Sequence, residues 1–360
     1  MKVIISAGGT GGHIYPALAI IERLKKEEKS LELLYIGTHN RMEKDLIPNE
    51  NIPYEELVIY GLSKNNLLRN IKNVFLIHKA YKKCLKIMNE FKPDVVIGVG
   101  GYVTYPVVKA AKRLGIKIFL HEQNSIPGKT NLALAKHADI IGVSFKKSFE
   151  YFKDNQRVVE TGNPCGERAK SLRATSKTKL GFSKNKKLVV IVSGSLGSQT
   201  VNNKLKDFLK NSSHEKYEIL FITGSSHYEA FMKNEVFPDN VKVKPFVNNL
   251  ASLLKQTDLL VTRAGASTIS EIIALKIPSI LIPSPYVANN HQYYNALEIK
   301  EEDAGVLISE SDLNSNSLKK EINKILYDSK RQKEIIKNLT NLGKYNSSEL
   351  IYEIIKELAK

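Results

Sequence analysis

Residues Val3–His13 read VIISAGGTGGH, an apolar run that ends in a glycine-rich turn and leads into helix-forming residues. A stretch with the same order, VVIVSGSLGS, occupies Val189–Ser198 in the second half of the chain. A strand, a glycine turn and a helix in this order are typical of doubly wound α/β domains that bind phosphorylated ligands. The repeat therefore predicts an α/β protein with two related domains.

Further β-branched runs alternate with longer amphipathic stretches, the pattern of a parallel sheet covered by helices. Runs such as DVVIGVG at Asp94–Gly100 are apolar throughout, which indicates strands buried on both faces. In the first half we predict strands at Val3–Ser6, Leu33–Ile36, Leu57–Ile59, Val95–Val99, Lys117–Leu120, Ile140–Val143 and Val158–Thr161. In the second half we predict strands at Leu188–Ser193, Ile219–Thr223, Val241–Lys244, Leu259–Thr262, Ser279–Ile282 and Val306–Ile308.

The 360 residues of the chain suit two domains better than one. The segment Cys165–Lys187 is rich in Lys, Ser, Arg and Gly and has no apolar period, so we place the boundary at its start. We expect a first domain at 1–165 and a second at 166–344, with an amphipathic helix at about 345–360 that packs back on the first. Because such sheets bind ligands beyond the carboxyl ends of their strands, we predict two Rossmann-like, doubly wound domains facing a central cleft.

The chain carries 54 Lys and Arg against 37 Asp and Glu, a formal charge of +17. This surplus suits nucleic acid, an anionic membrane or a phosphorylated substrate, and it also fits a Lys-rich solvated surface. No apolar run approaches the ~18–20 residues that a membrane-spanning helix needs. The two cysteines, Cys84 and Cys165, provide neither a disulfide framework nor a metal cluster, which indicates a reducing cytoplasm.

The two glycine turns exclude several classes of nucleotide site. Neither turn ends in Gly-Lys-Ser/Thr, so neither is a P-loop. A dinucleotide fingerprint counted from Gly9 needs a glycine where Ile14 stands. The sequence has no Asp-x-Asp pair, no histidine cluster at metal-ligand spacing and no Gly-x-Ser-x-Gly elbow. We therefore expect no metal site and no cofactor.

Three polar clusters follow predicted strands, at His121–Asn124, Arg263–Glu271 and His291–Asn295. The carboxyl ends of parallel strands lie at one edge of a sheet, where ligands bind. The serines and the glutamate of the second cluster are also ordinary helix-start residues, so capping alone could account for them. Capping does not account for all three clusters, and we predict a ligand site at this edge.

Seven motifs extend the comparison to nearly the whole chain: GGTGGHIYPALAI, KPDVVIGVGGYVTYP, HEQNSIPGKTN, TGNP, SGSLGS, RAGASTISEI and HQYYNAL. In their order and combination the chain resembles the MurG family. Members transfer N-acetylglucosamine from UDP to undecaprenyl-pyrophosphoryl-N-acetylmuramoyl-pentapeptide (lipid I) in peptidoglycan synthesis. The resemblance implies a glycosyltransferase B fold and a peripheral enzyme on the cytoplasmic face of the cell membrane, with roles in cell shape and cell division. It implies inverting, metal-independent transfer to the C4 hydroxyl of the muramoyl sugar, which gives lipid II.

The resemblance also implies the site residues. It places Asn124 near the donor sugar, Ser195 at the UDP diphosphate and Val247 where backbone reads uracil. Glu271 would accept hydrogen bonds from the ribose hydroxyls, and Gln292 would contact the sugar hydroxyls. Donor contacts also fall on Thr10, Gly11 and Gly12 of the first turn. Together with Glu271, the residues before it would hold the diphosphate and ribose: Ala266, Ser267, Thr268, Ile269 and Ser270.

This sequence departs from the family pattern at two of these motifs. The arginine that usually stands two places after the proline of TGNP is Gly166 here, and Arg168 follows two positions later. The second glycine turn has Leu196 where many members have Gln.

The acceptor hydroxyl needs a general base, and His13 is our first candidate. Imidazole titrates near neutrality, and the positive end of a helix dipole favours its neutral form. A structural hydrogen bond or a contact with the donor phosphate is the alternative role for His13. Glu122 is a second candidate base.

Two other functions use the same features. A UDP-N-acetylglucosamine epimerase could have the same architecture and donor contacts. A nucleic-acid-binding protein would exploit the positive charge, but the usual RNA-binding and zinc-finger motifs are absent from the sequence, and we expect no nucleic-acid partner.

The stretch Lys64–Met88 is a candidate membrane surface, since it contains seven basic residues and no acidic one. Together with UDP-N-acetylglucosamine and lipid I, we expect an anionic membrane surface and other cell-wall synthesis proteins as partners. The apolar side chains of the stretch recur at helical spacing and could equally be core. The basic residues are Lys64, Arg69, Lys72, Lys79, Lys82, Lys83 and Lys86. The apolar stripe is Leu67, Ile71, Val74, Phe75, His78, Tyr81, Leu85 and Met88.

Overall fold

The computed structural model describes residues 1–61, 67–153, 157–194, 197–343 and 346–360, with residues 67–69 described by their backbone alone. The chain forms two compact units, one of Met1–Cys165 with Tyr345–Lys360 and one of Gly166–Lys344. Each unit contains one parallel sheet covered by helices.

The strands of the first unit are β1 (Lys2–Ala7), β2 (Glu32–Thr38), β3 (Tyr54–Leu57), β4 (Val95–Gly100), β5 (Lys117–Glu122), β6 (Ile140–Val143) and β7 (Val158–Glu160). Those of the second are β8 (Leu188–Val192), β9 (Glu218–Ile222), β10 (Val241–Lys244), β11 (Leu259–Thr262), β12 (Ser279–Leu281) and β13 (Val306–Leu307). The helices are α1 (Gly11–Glu27), α2 (Glu43–Asn49), α3 (Leu67–Phe91), α4 (Thr104–Arg113), α5 (Lys129–Leu134), α6 (Cys165–Ser171), α7 (Gln199–Lys210), α8 (Tyr228–Met232), α9 (Leu250–Leu254), α10 (Ala266–Leu275), α11 (His291–Glu301), α12 (Ser315–Tyr327), α13 (Ser329–Leu342) and α14 (Ser347–Leu358). Short 3₁₀ turns occupy Ala135–His137, Lys146–Tyr151, Lys177–Leu180 and Ala288–Asn290.

The strand order of each sheet locates its ligand edge. The first sheet runs β3-β2-β1-β4-β5-β6-β7 and the second β10-β9-β8-β11-β12-β13. In each sheet the chain builds outward in one direction and then in the other, so β1 and β4 flank one switch point and β8 and β11 flank another. Loops at the carboxyl ends of such strand pairs form the ligand crevice of doubly wound folds.

The first sheet is buried on both faces. One face packs against α1 and α14, through side chains such as Ile14, Ile21 and Ile355. The other packs against α3 and α4, through side chains such as Cys84 and Val107. This arrangement explains why β4 is apolar throughout and β1 is apolar over Val3–Ile5.

Helix α14 completes the core of the first unit although it follows the second unit in sequence. Ile351 and Ile355 are fully buried against α1 and the sheet. The Tyr352 hydroxyl donates to Glu28 Oε1 at 2.7 Å. At the surface, the Arg157 guanidinium donates to both carboxylate oxygens of Glu357, at 2.6 and 2.8 Å.

The doubly wound fold predicted from the sequence is confirmed, and each of the thirteen predicted strands overlaps an observed one. The third prediction, Leu57–Ile59, is misplaced, because β3 covers Tyr54–Leu57 and shares only Leu57 with it. β3 is an edge strand whose register with β2 starts at Tyr54 opposite Tyr35. Its polar residues Glu55 and Glu56 have one neighbour strand only, so an apolar run is a poor guide to its limits.

In the part of the chain that the structure describes, no helix combines the length and the apolar character that crossing a membrane requires.

We expect Ile355→Ala to destabilise the first unit by about 2–5 kcal/mol, because it leaves a cavity in a closed core. The matched control is Glu353→Ala, an exposed position on the same helix. Urea unfolding followed by circular dichroism measures the difference. Equal midpoints for the two variants would mean that α14 does not contribute to the core.

Candidate functional site

The first glycine turn joins β1 to α1 and leaves the start of the helix open. Gly9 adopts a positive φ of 89°, which favours glycine. Thr10 is the N-cap residue, but its side chain makes no capping hydrogen bond. Thr10 and Gly12 are exposed. The uncapped N-terminus of a 17-residue helix offers backbone N–H groups and a positive dipole end to an anion.

A second pair of glycines, at the end of β4, packs directly on this turn. Gly8 N–H donates to Gly100 O at 3.3 Å. A Cβ at Gly101 would lie 2.3 Å from Gly8 O, and Gly101 also has a positive φ of 87°. Only glycine fits at this contact between two loops of the switch point.

A buried carboxylate holds the first turn from behind. Glu43, at the start of α2, accepts from Gly9 N–H at 3.2 Å and from the Thr38 hydroxyl at 2.7 Å. It also accepts from Thr38 N–H at 3.2 Å, and both Glu43 and Thr38 are fully buried. The turn is therefore fixed on its protein side and presents its other side outward.

An open pocket of about 630 Å³ adjoins the turn at Gly9. Its lining includes His39, Arg41 and Lys44. Sequence reasoning did not select these residues, since they follow β2 without a recognisable motif.

His13 lies in the first turn of α1 and is half-buried. Its Nδ1 is 3.0 Å from Gln123 Oε1. A Cβ at Gly100 would lie 2.6 Å from the same nitrogen, so the imidazole packs flush against the backbone of the neighbouring loop. The ring is thus held from two sides.

Glu122 does not have the geometry of a general base. One carboxylate oxygen accepts from Asn124 N–H at 2.9 Å and from Asn124 Nδ2 at 3.3 Å. The other accepts from Gly128 N–H at 3.0 Å and from Asn131 Nδ2 at 2.9 Å. The group is buried, and its four donors tie down the loop after β5. The loop fixes Asn124, which supplies two of the four donors, its backbone N–H and its side-chain NH₂ group.

In the second unit, a glycine turn follows β8 and leads into α7. Gly194 and Gly197 have positive φ values of 80° and 73°. Ser198 caps α7, and its hydroxyl accepts from Arg263 Nη2 at 2.9 Å. Ser195, predicted to meet the diphosphate, and Leu196 lie outside the described residues.

Arg263, the first residue after β11, is a brace within the fold. It forms a 2.5 Å ion pair with Glu310 and donates to Ile282 O at 3.1 Å, and both charged side chains are buried. With its bond to Ser198, it fixes the loops after β8 and β11 on either side of the switch point. The guanidinium of Arg263 is therefore engaged in hydrogen bonds within the protein.

Helix α10 places the cluster Ala266–Glu271 at the carboxyl end of β11. Gly265 is the N-cap residue, and no side chain caps the helix. Ala266 and Ile269 are buried, whereas Thr268 is half-exposed. Ser270 Oγ donates to Ser267 O at 2.7 Å. The residues predicted to hold the diphosphate and ribose thus form the start of a helix that has no side-chain cap.

Glu271 lies on the second turn of α10 and is half-buried. Burial raises the pKa of its carboxyl from 4.5 to about 7, and the positive charge of Arg168 partly offsets that rise. The charge of Arg168 therefore acts on the predicted ribose acceptor.

Gly166, which replaces the family arginine, packs α6 against α10. A Cβ at this position would lie 2.6 Å from Ser270 O and 2.9 Å from Ala274 Cβ. A side chain here requires the two helices to separate. Arg168, one half-turn further along α6, is the arginine that this packing leaves beside Glu271.

A backbone contact determines which way the side-chain amide of Gln292, on α11, is oriented. Its Oε1 accepts from Ser284 N–H at 2.9 Å. A backbone N–H can only donate, so the amide oxygen faces inward and the NH₂ group is the end offered to a ligand. Val247 follows β10 in the loop after Lys244 and is half-buried beside the exposed Phe246.

Among the described residues, no group of three or more His, Cys, Asp or Glu side chains could hold a metal ion. Cys84 and Cys165 are free and buried.

Comparison with known proteins assigns the family. The glycosyltransferase family 28 N-terminal domain matches residues 3–143, and the family 28 C-terminal domain matches residues 188–351. The chain is 42% identical, over the full length of both proteins, to the UDP-N-acetylglucosamine–N-acetylmuramyl-(pentapeptide) pyrophosphoryl-undecaprenol N-acetylglucosamine transferase of Halalkalibacterium halodurans. It is 40% identical, again over both full lengths, to the enzyme of the same name from Bacillus subtilis. The chain belongs to glycosyltransferase family 28, in its MurG group.

Solved structures agree with this assignment. MurG of Acinetobacter baumannii superposes with a TM-score of 0.77 at 27% identity and covers 99% of both chains. The UDP-N-acetylglucosamine 2-epimerase of Neisseria meningitidis superposes with a TM-score of 0.67 at 14% identity, covering 99% of this chain and 100% of that chain. The second likeness shows the shared glycosyltransferase B fold and no more.

Sequence reasoning did not assign roles to several residues that shape this candidate site. Gln123 and Gly100 hold His13, Glu43 holds the first turn, and Arg263 holds the second. The HEQN and VGG motifs pointed to the first two, but the contacts that define their roles join distant parts of the chain.

We expect the Glu271 carboxyl to titrate near pH 7 and its pKa to rise further in Arg168→Gln, because a stabilising positive charge is removed. Carboxyl ¹³C NMR of glutamate-labelled protein measures the titration, with Glu271→Gln to assign the signal. Lys276→Gln, which removes an exposed charge at the other end of α10, is the control and should leave the pKa unchanged. A signal that titrates near 4.5 in wild type, or that ignores Arg168→Gln, contradicts the assignment.

Proposed function

We propose that this protein transfers N-acetylglucosamine from UDP-N-acetylglucosamine to the C4 hydroxyl of the muramoyl sugar of lipid I, inverting the donor anomeric centre. The full-length identity of 40–42% to relatives named for this activity carries the proposal. The geometry of the open helix starts and of the Glu271 and Gln292 side chains supports it.

The second unit is proposed to bind the donor. The backbone of α10 from Ala266 to Ser270, together with Ser195, would meet the diphosphate. Glu271 would accept from the ribose hydroxyls, and Val247 would present backbone to uracil. The NH₂ end of Gln292 would donate to sugar hydroxyls, since its oxygen is occupied by Ser284.

The first unit is proposed to bind the acceptor. The turn at Thr10, Gly11 and Gly12 would contact substrate through its backbone, and Asn124 would lie near the transferred sugar. His13 is the proposed base. Glu122 is not, because its four hydrogen bonds occupy the lone pairs that a proton would need.

The proposed reaction is a single displacement. As the acceptor oxygen forms its bond to the anomeric carbon, its proton passes to His13 and the bond from that carbon to the diphosphate breaks. UDP leaves with the electron pair. Negative charge grows on the diphosphate, where each preorganised N–H donor is typically worth about 3–4 kcal/mol.

A UDP-N-acetylglucosamine epimerase is the alternative function. Product analysis decides between the two, using labelled UDP-N-acetylglucosamine with and without lipid I. Transfer requires lipid I and produces a labelled lipid-linked disaccharide. Turnover of the sugar nucleotide without an acceptor would favour the epimerase and refute the proposal.

We propose a peripheral location on the cytoplasmic face of the membrane, and the exposed surface of α3 supports the membrane contact. Ile71, Val74 and Phe75 are 58%, 61% and 73% exposed, and His78 is exposed beside them. Tyr81 and Leu85 are half-buried and Met88 is buried, so the C-terminal part of the predicted stripe belongs to the core. The N-terminal part, formed by Ile71, Val74, Phe75 and His78, is an exposed surface, which we call the α3 surface. Lys64 lies outside the described residues, as do the side chains of Leu67 and Arg69.

Exposed lysines of the same helix lie next to the α3 surface, at Lys72, Lys79, Lys82 and Lys86, and Lys86 also lies 3.9 Å from Glu90. Lys83 differs, because it pairs with Glu55 of β3 at 2.8 Å and donates to Glu56 O. An apolar patch flanked by cations suits an anionic bilayer, where each Lys or Arg contributes about 1 kcal/mol. The acceptor's lipid tail requires such a location, and other cell-wall synthesis proteins are the expected neighbours.

We expect Glu271→Ala to raise the donor KM at least tenfold at pH 8, since it removes one or two hydrogen bonds to a charged acceptor worth about 1.5–3 kcal/mol each. Because the pKa of Glu271 is about 7, wild type should itself lose donor affinity as the pH falls through 7 and the carboxylate is protonated. The gap between the two proteins should therefore narrow at pH 6. Steady-state kinetics at the two pH values test this, and equal donor KM values at pH 8 would remove Glu271 from the ribose role.

We expect activity to survive excess EDTA, because the sequence has no Asp-x-Asp pair and open helix starts can stabilise the diphosphate. The assay follows product formation before and after chelation. Loss of activity that Mg²⁺ or Mn²⁺ restores would contradict the expectation.

We expect the triple variant Lys72, Lys79 and Lys82 to Glu to lose binding to phosphatidylglycerol vesicles at low salt, because attraction becomes repulsion on the α3 surface. The matched control changes Lys330, Lys333 and Lys337 to Glu on α13, three exposed lysines along one helix of the second unit. Vesicle co-sedimentation at low and high salt measures binding. If the first triple variant binds like wild type, the α3 surface is not the membrane anchor.

A further inference from the structure

A chain of hydrogen bonds leads from His13 into the core of the first unit. His13 Nδ1 lies 3.0 Å from Gln123 Oε1. Gln123 Nε2 lies 2.9 Å from Val99 O, 3.0 Å from His121 O and 3.0 Å from His121 Nδ1. His121 Nε2 lies 2.9 Å from Gly162 O. Gln123 and His121 are both buried, so these contacts are shielded from water.

The main-chain carbonyls determine which end of the Gln123 amide is which. Val99 O and His121 O can only accept hydrogen bonds, so the group facing them must be the NH₂ group. The amide oxygen is therefore the atom that faces His13. A carbonyl oxygen can only accept, and it follows that His13 Nδ1 carries a proton.

The tautomer of His121 is consistent with this orientation of the Gln123 amide. Gly162 O can only accept, so Nε2 of His121 carries a proton and donates it to this carbonyl. The Nδ1 lone pair of the neutral ring then faces the Gln123 NH₂ group, whose two protons are shared among Nδ1, Val99 O and His121 O. Burial lowers the pKa of His121 to about 4, which keeps this ring neutral and its Nδ1 an acceptor at physiological pH.

We propose that Gln123, backed by His121, is a positioning residue that holds neutral His13 in the Nδ1–H tautomer and so leaves the lone pair of Nε2 for the acceptor hydroxyl. The inference rests on the proposed function in taking His13 as the base. Within the described part of the chain, His13 Nε2 makes no hydrogen bond, and the ring is half-buried, so this nitrogen is available to a substrate.

The tautomer decides whether His13 can act. With Nδ1 protonated, Nε2 takes the hydroxyl proton as the acceptor oxygen bonds to the anomeric carbon and UDP departs. The resulting imidazolium still donates from Nδ1 to Gln123 Oε1. In the other tautomer, Nε2 already carries a proton, and two lone pairs face each other between Nδ1 and Oε1. The hydrogen bond at one ring nitrogen thus sets the role of the other.

Gly100 leaves the space that His13 needs to reach Gln123. With any larger residue there, a Cβ 2.6 Å from Nδ1 would displace the ring from Gln123. An amide partner also orients the imidazole without adding a negative charge, whereas a carboxylate would favour the protonated ring, which is no base.

The first test is the tautomer itself, which needs no substrate. ¹⁵N NMR of histidine-labelled wild-type protein at pH 8, with His13→Ala to assign the signals, distinguishes the protonated ring nitrogen. We expect Nδ1 of His13 to carry the proton. A proton on Nε2, or an equal mixture of tautomers, overturns the proposal whatever the activity of the enzyme.

The second test is Gln123→Met, which keeps the approximate length of the side chain and removes its hydrogen bonds. We expect kcat to fall about 10- to 100-fold, no more than the lower end of the 10²–10⁴-fold that a general base contributes, because His13 itself remains. The donor KM should change less than twofold. The ¹⁵N spectrum of His13 should lose its Nδ1–H preference in this variant. Gln256→Met is the control: it removes the bond that Gln256 Oε1 accepts from Lys177 N–H in the second unit, and kcat should stay at the wild-type value.

The outcomes separate this inference from the proposed function. Wild type that has the Nδ1–H tautomer but transfers no sugar to lipid I refutes the proposed function and, with it, the base role. Active wild type with an unchanged kcat in Gln123→Met refutes the positioning role alone. If the variant does not fold, the wild-type ¹⁵N spectrum decides.

Discussion

The contact between Gly8 and the glycine pair at the end of β4 is the constraint on which the first unit's site depends. Two loops from adjacent strands meet with backbone against backbone, at a separation that no Cβ permits. Thr104, at the start of α4, secures the same point by donating from its hydroxyl to Gly100 O at 2.9 Å. The start of α1, the position of His13 and the open side of the first turn all follow from this contact.

Most of the fold could be predicted because a strand buried on both faces must be apolar along its length. β4 and β8 carry that signal in full and β1 carries it over Val3–Ile5, and their glycine turns mark where each strand ends. β3 shows the limit of the argument. As an edge strand it has one neighbour and carries charge, while Ile59, two residues after its end, is buried without being part of a strand.

The candidate site was predictable where function depends on residue type and local order. A glycine turn before a helix, or a carboxylate in the second turn of one, can be found in the sequence alone. The roles of Gln123, Glu43 and Arg263 could not, because each depends on which backbone atoms stand nearby in three dimensions. The role of Gly166 could not be predicted either, because it depends on how closely α6 approaches α10 at that residue. Sequence motifs locate such residues, and only the contacts show what they do.

The position of α14 has a consequence for synthesis in the cell. Its side chains fill the core of the first unit, yet they follow the second unit along the chain. A ribosome adds about 5–20 residues per second, so the roughly 180 residues of the second unit take on the order of 10–40 s to make. During that interval the face of α1 that receives α14 is uncovered, which makes the nascent first unit a substrate for chaperones until the last helix arrives.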